Sequence, residues 1–189
     1  MRRTSAKLAV LAVLAVPALG VAQEEPDTIS MIRDTGVHRR PVDVSLLAGA
    51  PGFGLAGYGG GLRVALPLLD DGFLPRLNEA FFFETGVEYV HWTLTAGDFD
   101  SITVPLHARW NFYLDKDWTV FVSAGFELSW FLSEGIFSAP NGVAWFNMVQ
   151  GGVLVFGAGG GVLYNFSEAV SLRVDATLSL LAIGLTIRF

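Results

Sequence analysis

The chain has 189 residues, 52% of them hydrophobic, a formal net charge of −6 and no cysteine. That length suits one domain, and the missing cysteine excludes a disulfide framework, a lipid-modified N-terminal cysteine and any thiolate metal site. An acidic chain without a basic stripe is not built to bind nucleic acid.

Met1 to Lys7 carries Arg2, Arg3 and Lys7, an apolar run from Leu8 to Leu19 follows, and Gly20 and Ala22 supply small residues. This is the pattern of a secretory signal cleaved after Ala22, its apolar run too short to span a membrane as a helix. A short N-terminal anchor is the other reading of the same pattern. Removing 1–22 takes away three basic residues and no acid, so the charge falls from −6 to −9. Residues 23–41 are polar, charged and aperiodic, and read as a flexible lead-in.

From Val42 onward a period of two recurs. It predicts strands over 42–50, 57–67, 80–92, 101–114, 118–130, 152–164, 169–178 and 181–189, each near the ~10 residues of a tilted membrane-spanning strand. In 101–114, Ile102, Val104, Leu106, Ala108, Trp110 and Phe112 oppose Ser101, Thr103, Pro105, His107, Arg109, Asn111 and Tyr113. In 118–130 the apolar face runs from Trp118 to Trp130, and in 169–178 Val170, Leu172, Val174, Ala176 and Leu178 oppose Ser171, Arg173, Asp175 and Thr177. Mean hydropathy is +0.49, yet beyond residue 22 no apolar run approaches the ~18 residues of a transmembrane helix. A soluble sandwich also alternates. Aromatic residues at both rims of an apolar face, as Trp118 and Trp130 stand here, instead mark the interfacial girdle of a membrane barrel. Trp110 and Tyr164 join that girdle. The fold expected is all-β: an eight-stranded antiparallel up-and-down transmembrane β-barrel over 42–189.

Eight strands place both ends of the barrel sequence on one side. If the terminal Phe189 is read in the periplasm, the connections at 51–57, 93–100, 131–151 and 179–180 face outward, and those at 68–79, 115–117 and 165–168 face the periplasm. The dozen residues of 68–79 are long for a periplasmic turn and imply a small cap or misplaced strand ends there. Pro105 forfeits one ladder bond.

The last strand, Leu181 to Phe189, sets Leu181, Ile183, Leu185, Ile187 and Phe189 on one face and Ala182, Gly184, Thr186 and Arg188 on the other. Gly184, Ile187 and the terminal Phe189 resemble the C-terminal insertion signal of bacterial outer-membrane barrels, with Ala182 where that pattern usually has a polar residue. Over Val42 to Phe189 the chain resembles the small OmpA/OmpX-like group of eight-stranded barrels. The resemblance implies an integral outer-membrane protein of a Gram-negative-type cell, in contact with outer-membrane lipid. It also implies assembly by the barrel insertion machinery. No built-in peptidoglycan anchor is expected after Phe189, unlike in the full-length OmpA type. Members of that group are structural, adhesive or defence-related surface proteins, and a few are narrow channels.

With the apolar face toward lipid, the lumen receives Asp43, Arg63, Glu84, Glu88, His107, Arg109, Glu127, Arg173, Asp175 and Arg188. A hairpin turning near 93–100 would place Glu84 almost opposite Arg109 and Glu88 close to His107. Eight strands leave a lumen that side chains fill, so the set reads as a structural charge network, with an ion-conducting path as the alternative. The strand glycines make room for bulky inward arginines or let the wall curve. Gly52 to Gly57 spells a dinucleotide-binding fingerprint, but a strand follows where that motif needs a helix.

Three histidines and no cysteine give no dedicated metal site and no cofactor is expected. His91, near the outer rim with Asp98 and Asp100 in the adjacent loop, is the candidate for a lipid-modifying activity; an interfacial residue is the simpler role. The long loop 131–151 carries Phe137, Trp145 and Phe146. It is either an apolar contact for an extracellular partner or lipid, or a hairpin that buries these residues against itself.

Overall fold

A computed structural model describes residues 31–34, 36–52, 56–94, 97–132 and 153–189. The expected signal segment 1–22, residues 23–30, and Phe137, Trp145 and Phe146 lie outside the described residues.

Eight strands, β1 (Asp43–Pro51), β2 (Ala56–Leu69), β3 (Glu79–Leu94), β4 (Gly97–Tyr113), β5 (Trp118–Phe131), β6 (Val153–Asn165), β7 (Val170–Thr177) and β8 (Leu180–Arg188), pair in sequence order. Every pairing is antiparallel, and β8 returns to β1 to close the barrel. The seam extends past the strands, where Val42 and Phe189 exchange backbone hydrogen bonds of 3.2 and 3.1 Å. Closure leaves no edge with unpaired amides, which hydrocarbon would not tolerate. Among the described residues no helix is long and apolar enough to cross a membrane.

The polarity is inverted relative to a soluble protein. Leu46, Phe156 and Leu154 on the outer wall are 68%, 62% and 59% exposed, whereas Arg63, Arg109 and Arg173 inside are at most 1% exposed. The alternation within each strand produces this directly, since successive side chains point to opposite faces. In β8 the apolar Leu181, Ile183, Leu185 and Ile187 face out while Thr186 is fully buried.

We call the rim holding Asp43 and Arg188 the terminal end and the opposite rim the distal end. Two apolar clusters sit inside the lumen. Leu47, Val90, Leu180 and Ala182, with Trp92 against them, lie toward the distal end. Ala65, Ala80 and Phe82, with Tyr113, lie toward the terminal end.

Three local features differ from the sequence expectation. The β3–β4 connection is not the eight residues 93–100: Leu94 pairs with Gly97, so Asp98 and Asp100 belong to β4 and not to a loop. The strands run on because Trp92 stacks on Phe99, ring centroids 5.6 Å apart, and zips the hairpin to its tip. This tighter turn shifts the register by two residues, placing Glu84 opposite His107 and Glu88 opposite Thr103. A shift of two keeps every inward side chain inward. Between Thr85/Leu106 and Glu88/Thr103 the ladder is interrupted opposite Pro105, which has no N–H to donate.

The second is the β2–β3 connection, which is 70–78 instead of 68–79 because β2 runs on to Leu69, past an irregularity between Pro67 and Leu69, and β3 begins at Glu79. The third is the segment 31–41, where composition alone suggests a free lead-in. A 3-10 turn, Met31–Arg33, precedes a run tied to the 70–78 connection. His38 N–H donates to Asp71 Oδ1 (3.0 Å), Arg40 N–H to Asp70 Oδ1 (3.2 Å), and Asn78 N–H to the Ile32 carbonyl (2.7 Å). The Arg40 guanidinium lies 3.8 Å over the Tyr113 ring and also bonds Asn78 Oδ1.

Candidate functional site

The lumen between the two apolar clusters holds a charge network centred on Glu84, with no exposed surface. Its carboxylate accepts from three arginines on different strands: Arg63 Nη1 of β2 (3.1 Å), Arg109 Nη1 of β4 (2.7 Å), and Arg173 Nη1 and Nη2 of β7 (2.8 and 3.0 Å). Asp175 Oδ2 accepts from Arg63 Nη1 at 2.9 Å and from Arg173 Nη2 at 2.5 Å. Glu88 pairs with Arg63, whose Nε donates at 2.6 Å, and Asp43 pairs with Arg109. The planar guanidinium fork serves several acceptors at once, which one lysine could not do in the same plane. Such charge-assisted bonds are about twice as strong as neutral ones, and here they offset the desolvation of the buried ions.

Two aromatic rings wall the arginines. Arg109 lies 4.8 Å from the Phe82 ring and 5.5 Å from Phe121, and Arg173 lies 4.8 Å from Phe121. Sequence reasoning passed over both rings because it sought polarity inside the lumen. The available clue was phase: Phe121 stands on the otherwise polar face of β5 with Thr119 and Ser123. Ser45, which bonds Thr186 at 2.8 Å and accepts from Arg173 Nη1 at 3.2 Å, also joins the network.

The structure brings together Asp43, Arg63, Glu84, Glu88, Arg109, Arg173 and Asp175. Arg188 stands at the terminal rim, 3.4 Å from Asp43 and donating to Asn165 at 2.9 Å. Glu88 does not meet His107; it turns to Arg63, while His107 Nε2 lies 3.5 Å from Glu127 Oε1. Two inward glycines make room for neighbours other than arginine. A Cβ on Gly157 would meet Glu127 Oε1 and His107 Nε2, and one on Gly161 would stand 2.6 Å from the Phe121 ring.

On the outer wall near the distal rim, His91 Nδ1 is 2.7 Å from Asp100 Oδ1, which also accepts from the Tyr89 hydroxyl at 2.7 Å. Tyr58 stacks on the imidazole, centroids 4.9 Å apart. Asp98 pairs across the hairpin with Thr93, one step further out. Among the described residues no serine or threonine hydroxyl is bonded to His91, and no group of three or more His, Asp or Glu could hold a metal.

The fold is that of a transmembrane β-barrel. The chain is similar to the N-terminal β-barrel domain of Pseudomonas aeruginosa OprF, at 14% identity and TM-score 0.49, covering 80% of this chain and 98% of that one. It is similar to the Yersinia pestis outer-membrane protein Ail at 12% identity and TM-score 0.48, covering 80% and 100%. It is also similar to the outer-membrane enzyme PagL at 14% identity and TM-score 0.46, covering 78% and 99%. No protein-family model matches the chain, and neither does any curated protein.

The expected girdle residues stand on the outward face. At the terminal end Trp118 and Tyr164 are paired across β5 and β6 with ring centroids 4.9 Å apart, and Trp110 packs on Phe112 at 4.9 Å. Trp130 stands toward the distal end of β5. Of the insertion-signal residues, Ile187 and Phe189 are exposed, while Gly184 pairs with Leu47 of β1 and Arg173 of β7.

The 31–41 segment forms a second, exposed ion cluster at the terminal end. His38 bridges Asp71 (Nδ1 to Oδ1, 3.1 Å) and Asp34 (Nε2 to Oδ2, 3.3 Å). The Gly36 backbone N–H, then His38, holds the Asp34 carboxyl below its ordinary value. The His38 backbone N–H does the same for Asp71.

Proposed function

We propose that this chain is an outer-membrane barrel of a Gram-negative-type cell, exported with residues 1–22 removed, that serves as a closed, non-enzymatic scaffold. Its outer connections, chiefly 131–151, would make contact with something outside the cell. The observation that carries this reading is the filling of the lumen. Glu84 and its three arginines occupy the cross-section, with apolar clusters toward both ends. An aqueous path through eight strands would need that space. The experiment is conductance of the refolded mature protein in a planar bilayer, after its faster gel migration without heating has verified folding. Silence from folded protein supports the scaffold. Discrete, reproducible current steps overturn it in favour of a narrow pore. Deleting 133–148 is then expected to abolish binding of any surface partner while the barrel still folds.

One observation favours a second reading, a lipid-modifying enzyme: the His91–Asp100 pair on the outer wall, with its imidazole aligned by a carboxylate. A hydrolase of this kind also needs a nucleophile or a water held by that imidazole. His91→Ala is expected to leave the cell's lipid A profile unchanged; an altered profile would put the enzymatic reading first.

A further inference from the structure

The 70–78 connection is too long for a simple turn between β2 and β3, and its conformation is built for a purpose. At the end of β2 the partners step from Pro67↔Phe82 to Leu69↔Phe81, so Leu68 is an extra residue. A bulge of this kind bends its strand and re-aims the chain beyond it. The connection then does not continue across the mouth of the lumen. Phe73 sits edge-on against two outward rings of the barrel wall, Phe81 at 5.2 Å and Trp110 at 6.2 Å between centroids. The part of the connection around Phe73 is therefore folded back on the outside of the barrel, level with Trp110 at the terminal end.

A buried carboxyl group holds it there. Glu79, with no exposed surface, accepts the backbone N–H groups of both Phe73 and Leu74 through Oε1. Gly72, at φ +54°, makes the turn that delivers them, and a Cβ at that position would occupy the place of the Glu79 carboxylate. Leu77 N–H donates to the Leu74 carbonyl at 3.0 Å, closing a turn with Pro75 and Arg76 at its tip. A buried carboxyl oxygen thus fixes two apolar side chains that stay exposed, Phe73 at 59% and Leu74 at 39%. In water the part of those side chains that stays exposed gains nothing from being held there. The arrangement is favourable where those side chains meet another apolar phase.

We propose that residues 70–78 form a foot set into the membrane interface. In it Phe73 and Leu74 enter the acyl region of the leaflet on the terminal side, and Arg76 lies among the phospholipid phosphates. The occupant is phospholipid, because the foot is continuous with the lipid-facing wall through Phe81 and Trp110. Arg76 is exposed and, among the described residues, makes no ion pair, leaving its guanidinium for phosphate oxygens. Aromatic rings beside a cation are the residue types that interfaces favour. This inference rests on the reading of the chain as a membrane barrel, so its test carries a separate control for that reading.

The chain has no cysteine, so single-cysteine variants report without background. Phe73→Cys, Leu74→Cys, Lys116→Cys in the 115–117 turn and Val122→Cys on the outer wall are labelled with a small fluorophore. Each is refolded into phosphatidylethanolamine/phosphatidylglycerol vesicles. Quenching by a lipid nitroxide placed high on the acyl chain is compared with quenching by aqueous iodide. The expected result is lipid quenching at 73, 74 and 122 and iodide quenching at 116. Adding Gly72→Val to Phe73→Cys, which displaces Glu79, is expected to move the label toward iodide. If 73 and 74 behave like 116 while 122 stays lipid-quenched, the foot is overturned and the barrel reading stands. If 122 is also reached by iodide, the membrane reading falls and the foot with it.

Discussion

Two ion clusters in this molecule use the same chemistry in opposite surroundings. The Glu84 cluster lies inside the lumen without exposed surface, and each of its arginines serves more than one acceptor or packs against an aromatic ring. The His38 cluster at the terminal end sits between carboxylates whose side chains are about half exposed. The second lies open to solvent, and the first has almost no accessible surface. In the lumen, therefore, each charge constrains all the others, whereas at the rim each contact is replaceable by solvent.

The sharpest test of that contrast is Glu84→Ala. It leaves Arg63, Arg109 and Arg173 without their shared acceptor, and removing one partner of a buried ion set typically costs ~3–5 kcal/mol. Urea titration of the refolded barrel in vesicles should show the largest loss in this series. A loss within the range of surface variants would mean that water already enters the network. Next comes overpacking. Gly161→Leu drives a side chain into the Phe121 ring that flanks Arg109 and Arg173, and forcing extra methylenes into a packed interior costs about 1–3 kcal/mol. The same titration reads it, and Phe121→Ala should recover only part of the loss, because a Cβ at 161 also meets the Val174 carbonyl oxygen.

Ser45→Ala is expected to be smaller, about 1–2 kcal/mol, because it removes a neutral bond to Thr186 and one of several acceptors of Arg173, which keeps Glu84 and Asp175. Smallest of all is His38→Ala, which removes two exposed side-chain contacts, to Asp34 and Asp71, and should move the urea midpoint no further than a surface variant does. The pH dependence has a definite sign. Asp34 and Asp71 are held below the ordinary carboxylate value of 3.8, so their contribution is present above that value. It is lost as the pH falls through the lowered one. Proteolysis of the 31–41 segment should accordingly speed up on acidification below that range and stay flat between neutral pH and pH 5. A rise in cleavage already near neutral would break the assignment.

Much of the fold is legible in the sequence because period two is a local property. Alternation in 101–114 and 118–130 says which side chains share a face before any partner strand is known. The observed β4 and β5, Gly97–Tyr113 and Trp118–Phe131, keep those faces. Register is less legible. An open 93–100 loop would set Glu84 opposite Arg109, yet Trp92 and Phe99 zip that hairpin and shift the pairing by two residues. Glu84 still reaches Arg109 because arginine is long enough to span the offset. His107, with a shorter side chain, lies beside Glu127 instead of Glu88. The 31–41 segment is illegible for a different reason. His38, Asp34, Asp71 and Arg40 form no periodic pattern, and their contacts with 70–78 span some thirty residues of sequence.

The sequence by itself determined the class of this molecule, the two faces of its wall and the charges enclosed, because side-chain direction in a strand depends on position parity alone. Only the tertiary structure decided which arginine meets which carboxylate, which rings wall them, and where Phe73 comes to rest. Those outcomes depend on turn length, on one bulge and on the closure of β8 against β1. None of the three follows from position parity: the first two are set by contacts across a hairpin, the third between the two ends of the barrel.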